Sequence, residues 1–180
     1  MTSHAGPSRP EPGEYREYYG KYIALVPDGN IIAMLSTQAR ETAALLRSLR
    51  PEQANVGYAP GKWTIKQVVG HIADAERVFG YRMLRIARAD STPLPGFDEN
   101  RYAETGGHND RTLESIIAEF EATRAATIAL IAGISQDAWT RRTVVNDTPI
   151  TARALAYIIA GHELHHRRII EERYLALPAS

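Results

Sequence analysis

Near the end of the chain, the segment GHELHHRRII (residues 161–170) holds three histidines within five positions: His162, His165 and His166. Spelled out, HELHH is H-E-x-x-H, the pattern that zinc proteases use for two ligands and a general base. His162 and His166 are four residues apart, so on a helix they share one face, with Cβ atoms about 5–6 Å apart. The apolar stripe of that helix, Leu155, Ile158/Ile159 and Ile169/Ile170, passes through both. Two readings follow: a pair of hydrogen-bonded core histidines, or two ligands of one metal ion. Burying neutral imidazoles without partners is costly, and a shared ion satisfies both nitrogens at once. His165 is turned about 100° from His166 and falls at the edge of the stripe.

A third ligand has to come from elsewhere. His71 lies early in another helical segment, beside Val68/Val69 and Ile72. It is either a surface histidine near a helix start or a ligand reaching across to the C-terminal helix. Three imidazoles and one open position would make a catalytic-type site for zinc or nickel. The chain has no cysteine, so thiolate ligands are excluded and any thiol chemistry needs a thiol from outside. His108, in a Gly-rich loop, and His4, in the N-terminal tail, are expected to be solvated. The protease reading is weak. The residues after His166, RRIIEERYL, lack the metzincin continuation. Glu171 and Glu172 are too close in sequence to fold back as ligands, and Glu163 is directed off the face shared by His162 and His166.

The elements that must position these residues are helices. Apolar periodicity predicts four, over residues 30–50, 65–89, 113–131 and from 152 to about 175. Thr64 and Gln67 form a capping-box pattern before the second, Thr112 and Thr151 stand as caps of the third and fourth, and Pro51 closes the first. The one strand signal is TVVNDTPIT, where Asn146-Asp147 would turn a very short hairpin with no third strand to pair with. Long helices without a sheet predict an all-α four-helix bundle. Residues 1–22 read as a disordered or irregular N-terminal arm, with its tyrosines laid on the body, and residues 23–177 as the bundle domain. The loops 51–63 and 90–111 are long, and Pro93, Pro95 and Gly96 give the second a fixed path.

With 44% hydrophobic and 23% charged residues, the chain can bury a core and remain soluble. Basic and acidic residues balance at 21 each, which argues against a nucleic-acid partner. The sequence offers no apolar run of membrane-spanning length and no signal-peptide core, so a cytoplasmic location is expected. A homodimer is expected as the default symmetric assembly.

The segments GKWTIKQVVGHIADAERVFGYRMLRIARADSTPLPGFDENRYAE and GHELHHRRIIEERY together resemble the DinB family, also called DinB/YfiT-like metal-dependent hydrolases. The resemblance spans roughly residues 25–175. It implies an up-down-down-up four-helix bundle, and a metal site built from one histidine of helix two and an H-x-x-x-H pair of helix four, here His71, His162 and His166. Characterised relatives include transferases and isomerases that use bacillithiol, mycothiol or glutathione, and some members are known only as stress-inducible. The resemblance therefore implies a divalent transition metal, zinc or nickel, and a metal-dependent transferase joining a low-molecular-weight thiol to a small electrophile. The alternatives are a non-catalytic metal-binding stress protein and a metal-dependent hydrolase. Around the ligands, Asp74 and His165 are catalytic candidates. Arg167 and Arg168 could attract an anionic thiol cofactor, Asp98 and Glu99 could reach the site mouth, and Trp63 and Tyr102 read as packing residues.

Overall fold

The computed structural model describes residues 6–175; His4 and the last two residues of the expected domain lie outside them. Its helices are α1 (Gly20–Ile23), α2 (Ile31–Arg47), α3 (Ile65–Ala87), α4 (Glu99–Thr105), α5 (Leu113–Ala132) and α6 (Ala152–Ile169). The four long ones form the bundle, and their starts are fixed locally. Asn30 Oδ1 accepts from the Ile32 and Ala33 amides at the head of α2. Thr64 and Gln67 cap α3 reciprocally, at 3.1 and 3.0 Å. Thr112 caps α5 and Thr151 caps α6, each accepting one amide. Each such cap is worth about 1 kcal/mol and sets the register of the apolar face behind it. The first helix is shorter than its periodicity suggests, ending at Arg47 with a turn before Pro51, and α6 continues as a π turn over Ile170–Tyr174.

Side-chain pairs across the interior give the topology. Gln38 meets Ala160 and Glu41 meets Arg167, so α2 and α6 run parallel. Arg47 meets Glu114 while Arg124 meets the Leu35 carbonyl, so α2 and α5 are antiparallel. Phe79 packs on His162 and the Tyr174 hydroxyl donates to the Trp63 carbonyl, so α3 opposes α6. The result is an up-down-down-up bundle in which α2 and α3 each touch both α5 and α6. Residues 154–163 of α6 are buried without a break. Their run of Ala154, Ala156, Ala160 and Gly161 lets neighbours approach on every side.

Two connections carry structure that periodicity alone did not show. β1 (Arg142–Val145) and β2 (Thr148–Thr151) form the antiparallel hairpin, with Asn146 and Asp147 at φ 48° and 61°, the left-handed pair that a two-residue type I′ turn requires. The hairpin does have a neighbour: Leu94 of the long loop bridges it, its amide donating to Val144 O and its carbonyl accepting from Asn146 N. α4 fills the middle of that same loop.

Of the N-terminal arm, residues 1–22, the described part is attached to the bundle; it is irregular as far as Arg16, winds as a 3-10 turn over Glu17–Tyr19 and enters α1 at Gly20. Pro7 and Pro10 are buried. Arg9 donates to the Ile23 and Val26 carbonyls, and Glu14 forms an ion pair with Arg153 and accepts from Thr151 at 2.8 Å. The Arg153 guanidinium holds the Glu14 carboxyl below its usual range.

Candidate metal centre

His71 stands in the second turn of α3, where the Thr64 cap fixes its rotation. His162 and His166 stand one turn apart on α6. Antiparallel packing of α3 on α6 brings the three rings together: His71 Nε2 lies 3.0 Å from His162 Nε2, and His166 Nε2 lies 3.1 Å from the same atom. The three donor atoms all fall within 4.8 Å of one another. His71 and His162 are each 6% exposed.

The donor set suits a divalent ion. A neutral imidazole offers one N–H and one lone pair, so the central His162 Nε2 has a single proton or a single lone pair to share between two facing nitrogens. Ordinary hydrogen bonding leaves one contact unsatisfied. With bonds of about 2.0–2.1 Å, two nitrogens on one tetrahedral ion are about 3.3 Å apart, close to the spacing seen. Burial, reinforced by the charges His108 and His165 would carry, pushes His71 down to about 4. Burial and the adjacent imidazoles push His162 and His166 well below the ordinary value. All three are therefore neutral at pH 7, with lone pairs free for a metal.

Aromatic side chains wall the cluster. Trp63 packs on His71 at 4.9 Å between ring centroids, while Tyr22 and Phe79 meet His162 edge-on at 5.3 and 5.9 Å. Tyr22 arrives there because α1 lies directly on α6 at Gly161, where a Cβ would stand 2.0 Å from the Tyr22 carbonyl oxygen. In front of the imidazoles is a cavity of about 260 Å³, bounded also by Tyr18, Lys21, Phe97 and Glu99.

The other sequence candidates separate by position. His165 lines the cavity, its ring 5.0 Å from that of His166, and burial lowers its pKa. Asp74 does not line it; its carboxylate faces Arg77 at 3.3 Å and His108 at 3.6 Å. Arg167 is paired with Glu41 and Arg168 with Glu172, both outside the cavity lining. Asp98 caps α4, accepting from the Asn100 and Arg101 amides, whereas Glu99 does reach the cavity mouth. Tyr102 packs on Phe97, as a packing residue would. His108, expected in solvent, is 4% exposed, because the missing side chains of Gly70 and Gly106 leave a slot for its ring.

Glu163, the glutamate of the HELHH pattern, is turned into the core. It accepts from Thr42 at 2.6 Å and lies 2.6 Å from Arg124 Nη1, an ion pair by distance though poorly aligned as a hydrogen bond. It has no place in a protease-type mechanism. Sequence reasoning missed Trp63 and the arm residues Tyr18, Lys21 and Tyr22 as cavity walls. The aromatic-rich run YREYYGKY was the available signal, but only the fold shows which face of the body it covers.

The profile of the DinB superfamily matches residues 34–170. Among curated relatives, "Putative metal-dependent hydrolase OB0413" of Oceanobacillus iheyensis is 27% identical over 138 residues, covering 75% of this chain and 78% of its own. A Bacillus licheniformis protein of the same designation is 38% identical over 80 residues, 42% of this chain and 44% of its own. Among solved structures, YfiT from Bacillus subtilis, described as "a probable metal-dependent hydrolase with an unusual four-helix bundle topology", superimposes with a TM-score of 0.72 at 19% identity, over 96% of this chain and 95% of that one. A mycothiol-dependent maleylpyruvate isomerase superimposes with a TM-score of 0.65 at 14% identity, over 81% of this chain and 61% of that one.

Proposed function

This chain belongs to the DinB superfamily, and on that premise we propose that it is a metal-dependent transferase that joins a low-molecular-weight thiol to a small electrophile, with His71, His162 and His166 holding zinc or nickel. The observation that carries this reading is the charge around the cavity. Lys21 lines it, Arg16 and Arg82 line the space beside it, and the one carboxylate in either lining is the exposed Glu99. Among the described residues, no carboxylate other than Glu99 lines the cavity, and Glu163 and Asp74 are engaged elsewhere.

A divalent ion on three neutral imidazoles, with one position open, would lower the pKa of a thiol bound there. The chain's own residues supply the rest. His165, which lines the cavity and whose pKa burial lowers, would accept the thiol proton. Lys21 offsets the charge of the resulting sulfur anion. Trp63, Phe79 and Tyr22 exclude water and present an apolar surface to the electrophile. The new bond is sulfur to carbon; the electron pair of the broken bond leaves with chloride, the thiol proton then passing from His165 to solvent, or with an epoxide oxygen, which takes that proton from His165.

The relatives' designations favour hydrolysis as the second reading. One experiment separates them: turnover of chlorinated and epoxide substrates by zinc- or nickel-loaded protein, with and without bacillithiol, mycothiol or glutathione. The transferase reading expects thiol-dependent turnover that is lost on chelation and in His166→Ala. Turnover that is metal-dependent but indifferent to thiol would assign hydrolysis. Equal background rates in all samples would leave a metal-binding protein without turnover.

A further inference from the structure

Arg82, on α3 three residues beyond Phe79, is a buried cation without a counterion. It is 4% exposed, yet no carboxylate lies within ion-pair distance among the described residues. Buried guanidinium groups are ordinarily paired, because an uncompensated charge in the interior is costly. The other deeply buried arginine, Arg124, has two carboxylates, Glu76 and Glu163. The groups in contact with the Arg82 side chain are neutral. Nη2 donates to the Pro95 carbonyl at 2.7 Å, the Tyr19 phenol is beside it, and the rings of Phe79 and Phe97 lie 6.0 and 5.7 Å from Cζ. The Pro95 contact explains how Arg82 pins the long loop, but Pro95 and the Tyr19 phenol together engage only part of its five N–H donors, and neither supplies a negative charge.

The guanidinium borders a cavity of about 330 Å³ that also receives Arg16 and Asn146. This cavity shares Tyr18, Tyr19, Phe97 and Glu99 with the one in front of the histidines. Phe79 links the two, its ring 5.9 Å from the His162 ring and 6.0 Å from Arg82 Cζ. We propose that this second cavity is a carboxylate subsite, in which Arg82 receives the carboxylate of a small organic acid whose other end reaches the three-histidine cluster. The fork of a guanidinium matches a carboxylate bidentately, and the aromatic floor between the sites suits a short hydrocarbon spacer. Glu99, the acidic residue of the lining, is exposed and belongs to both cavities, so it disfavours highly charged polyanions more than a single carboxylate. The proposal deepens the thiol reading by naming an anionic group on the thiol or on its acceptor.

The test uses full-length protein in two arms. In the first, the cobalt(II)-loaded protein is titrated with mercaptocarboxylates of two to five methylenes and with the matching mercaptoalcohols, and the sulfur-to-cobalt absorption is followed. At the best spacer the carboxylate binds tighter than the alcohol by roughly tenfold to a hundredfold, the worth of a charge-assisted hydrogen bond. Arg82→Gln removes that preference and leaves alcohol binding within about twofold, and Arg82→Lys keeps part of it. An undiminished preference in Arg82→Gln, or none in the wild type, overturns the proposal. The second arm needs no metal: propionate is titrated into metal-free protein by NMR, with inorganic phosphate as competitor. Saturable shifts that vanish in Arg82→Gln support the subsite even if cobalt does not load, which would count against the metal reading alone. Tighter binding of phosphate than of propionate would reassign the cavity to phosphate esters and overturn the carboxylate assignment. Arg16→Gln, at an exposed position, covers a misfolded Arg82→Gln: it should weaken propionate severalfold, and unchanged binding would count against the subsite.

Discussion

Two buried polar clusters in the bundle interior, on different faces of α6, are built on different rules. On the α2/α5 side, Arg124 is bound by both oxygens of Glu76 at 2.8 and 2.9 Å and by Glu163, and it also donates to the Leu35 carbonyl; Thr42 completes the shell of Glu163. On the α3/α1 side, three imidazoles meet at the back of a cavity walled by aromatic rings, with too few protons and lone pairs among them to satisfy every contact. Neighbouring residues of one helix, His162 and Glu163, feed the two clusters. The first is closed and ties all four long helices together. The second is open, and its unsatisfied donors are what a ligand would complete. The difference separates groups that hold the fold from groups kept for chemistry, and it explains why the glutamate of an apparent H-E-x-x-H pattern takes no part in a metal site.

The largest effect should come from breaking the closed cluster. Arg124→Met leaves two carboxylates buried without a cation, and should cost about 3–5 kcal/mol in denaturant unfolding. Replacing the three charges together by apolar residues should cost far less. A small loss from Arg124→Met alone would show that water reaches the cluster and that it is not closed.

The open cluster should show itself in the pH dependence of the metal-free protein. Its histidines have folded pKa values below the unfolded value of 6.5, down to about 4 for His71. Between those limits the unfolded chain binds more protons, so stability should be full above about pH 6.5 and fall as pH drops toward 4. Glu163 acts in the opposite sense, since burial raises its carboxyl, and Glu163→Gln should therefore steepen the fall. A stability curve flat from pH 7 to 4 in wild type, measured by urea unfolding, would mean the imidazoles are solvated.

Gly161 seats α1 beside the open cluster. A Cβ there would meet the Tyr22 backbone at 2.0 Å, and backbone on both sides has little room to yield. Gly161→Ala should cost about 1–3 kcal/mol and lift α1 from the histidines, read as faster proteolysis at Arg16 and Lys21. Protection equal to wild type would show that the arm is not seated by this contact. The smallest effect should come from Arg47, whose pairs with Glu114 and Glu121 are exposed. Arg47→Ala should shift the melting midpoint little, with less effect still at high salt.

What the sequence made legible follows from local rules. The caps at Thr64, Thr112 and Thr151, the apolar stripes behind them, and the shared face of His162 and His166 all depend on neighbours within one turn. Helix geometry also turned Glu163 away from that face. The long-range facts were not legible. Glu76 and Arg124 sit on helical faces that read as apolar stripes with a charge interrupting them, and nothing local says that one charge answers the other. The arm tyrosines and Trp63 looked like packing residues, and they are, but what they pack against is the imidazole cluster. His108 looked solvated in its Gly-rich loop, and one of the glycines that makes its slot, Gly70, lies on another element.

We propose that His71, His162 and His166 form one divalent metal site with an open position. It is tested most directly by metal stoichiometry and affinity on purified wild-type protein and on His71→Ala, His162→Ala, His166→Ala and His165→Ala, each checked for helicity. One zinc or nickel ion per wild-type chain is expected, with binding weakened by orders of magnitude in each of the first three variants and near wild type in His165→Ala. Full stoichiometric binding that survives His162→Ala, or is lost in His165→Ala and kept in His166→Ala, would contradict it.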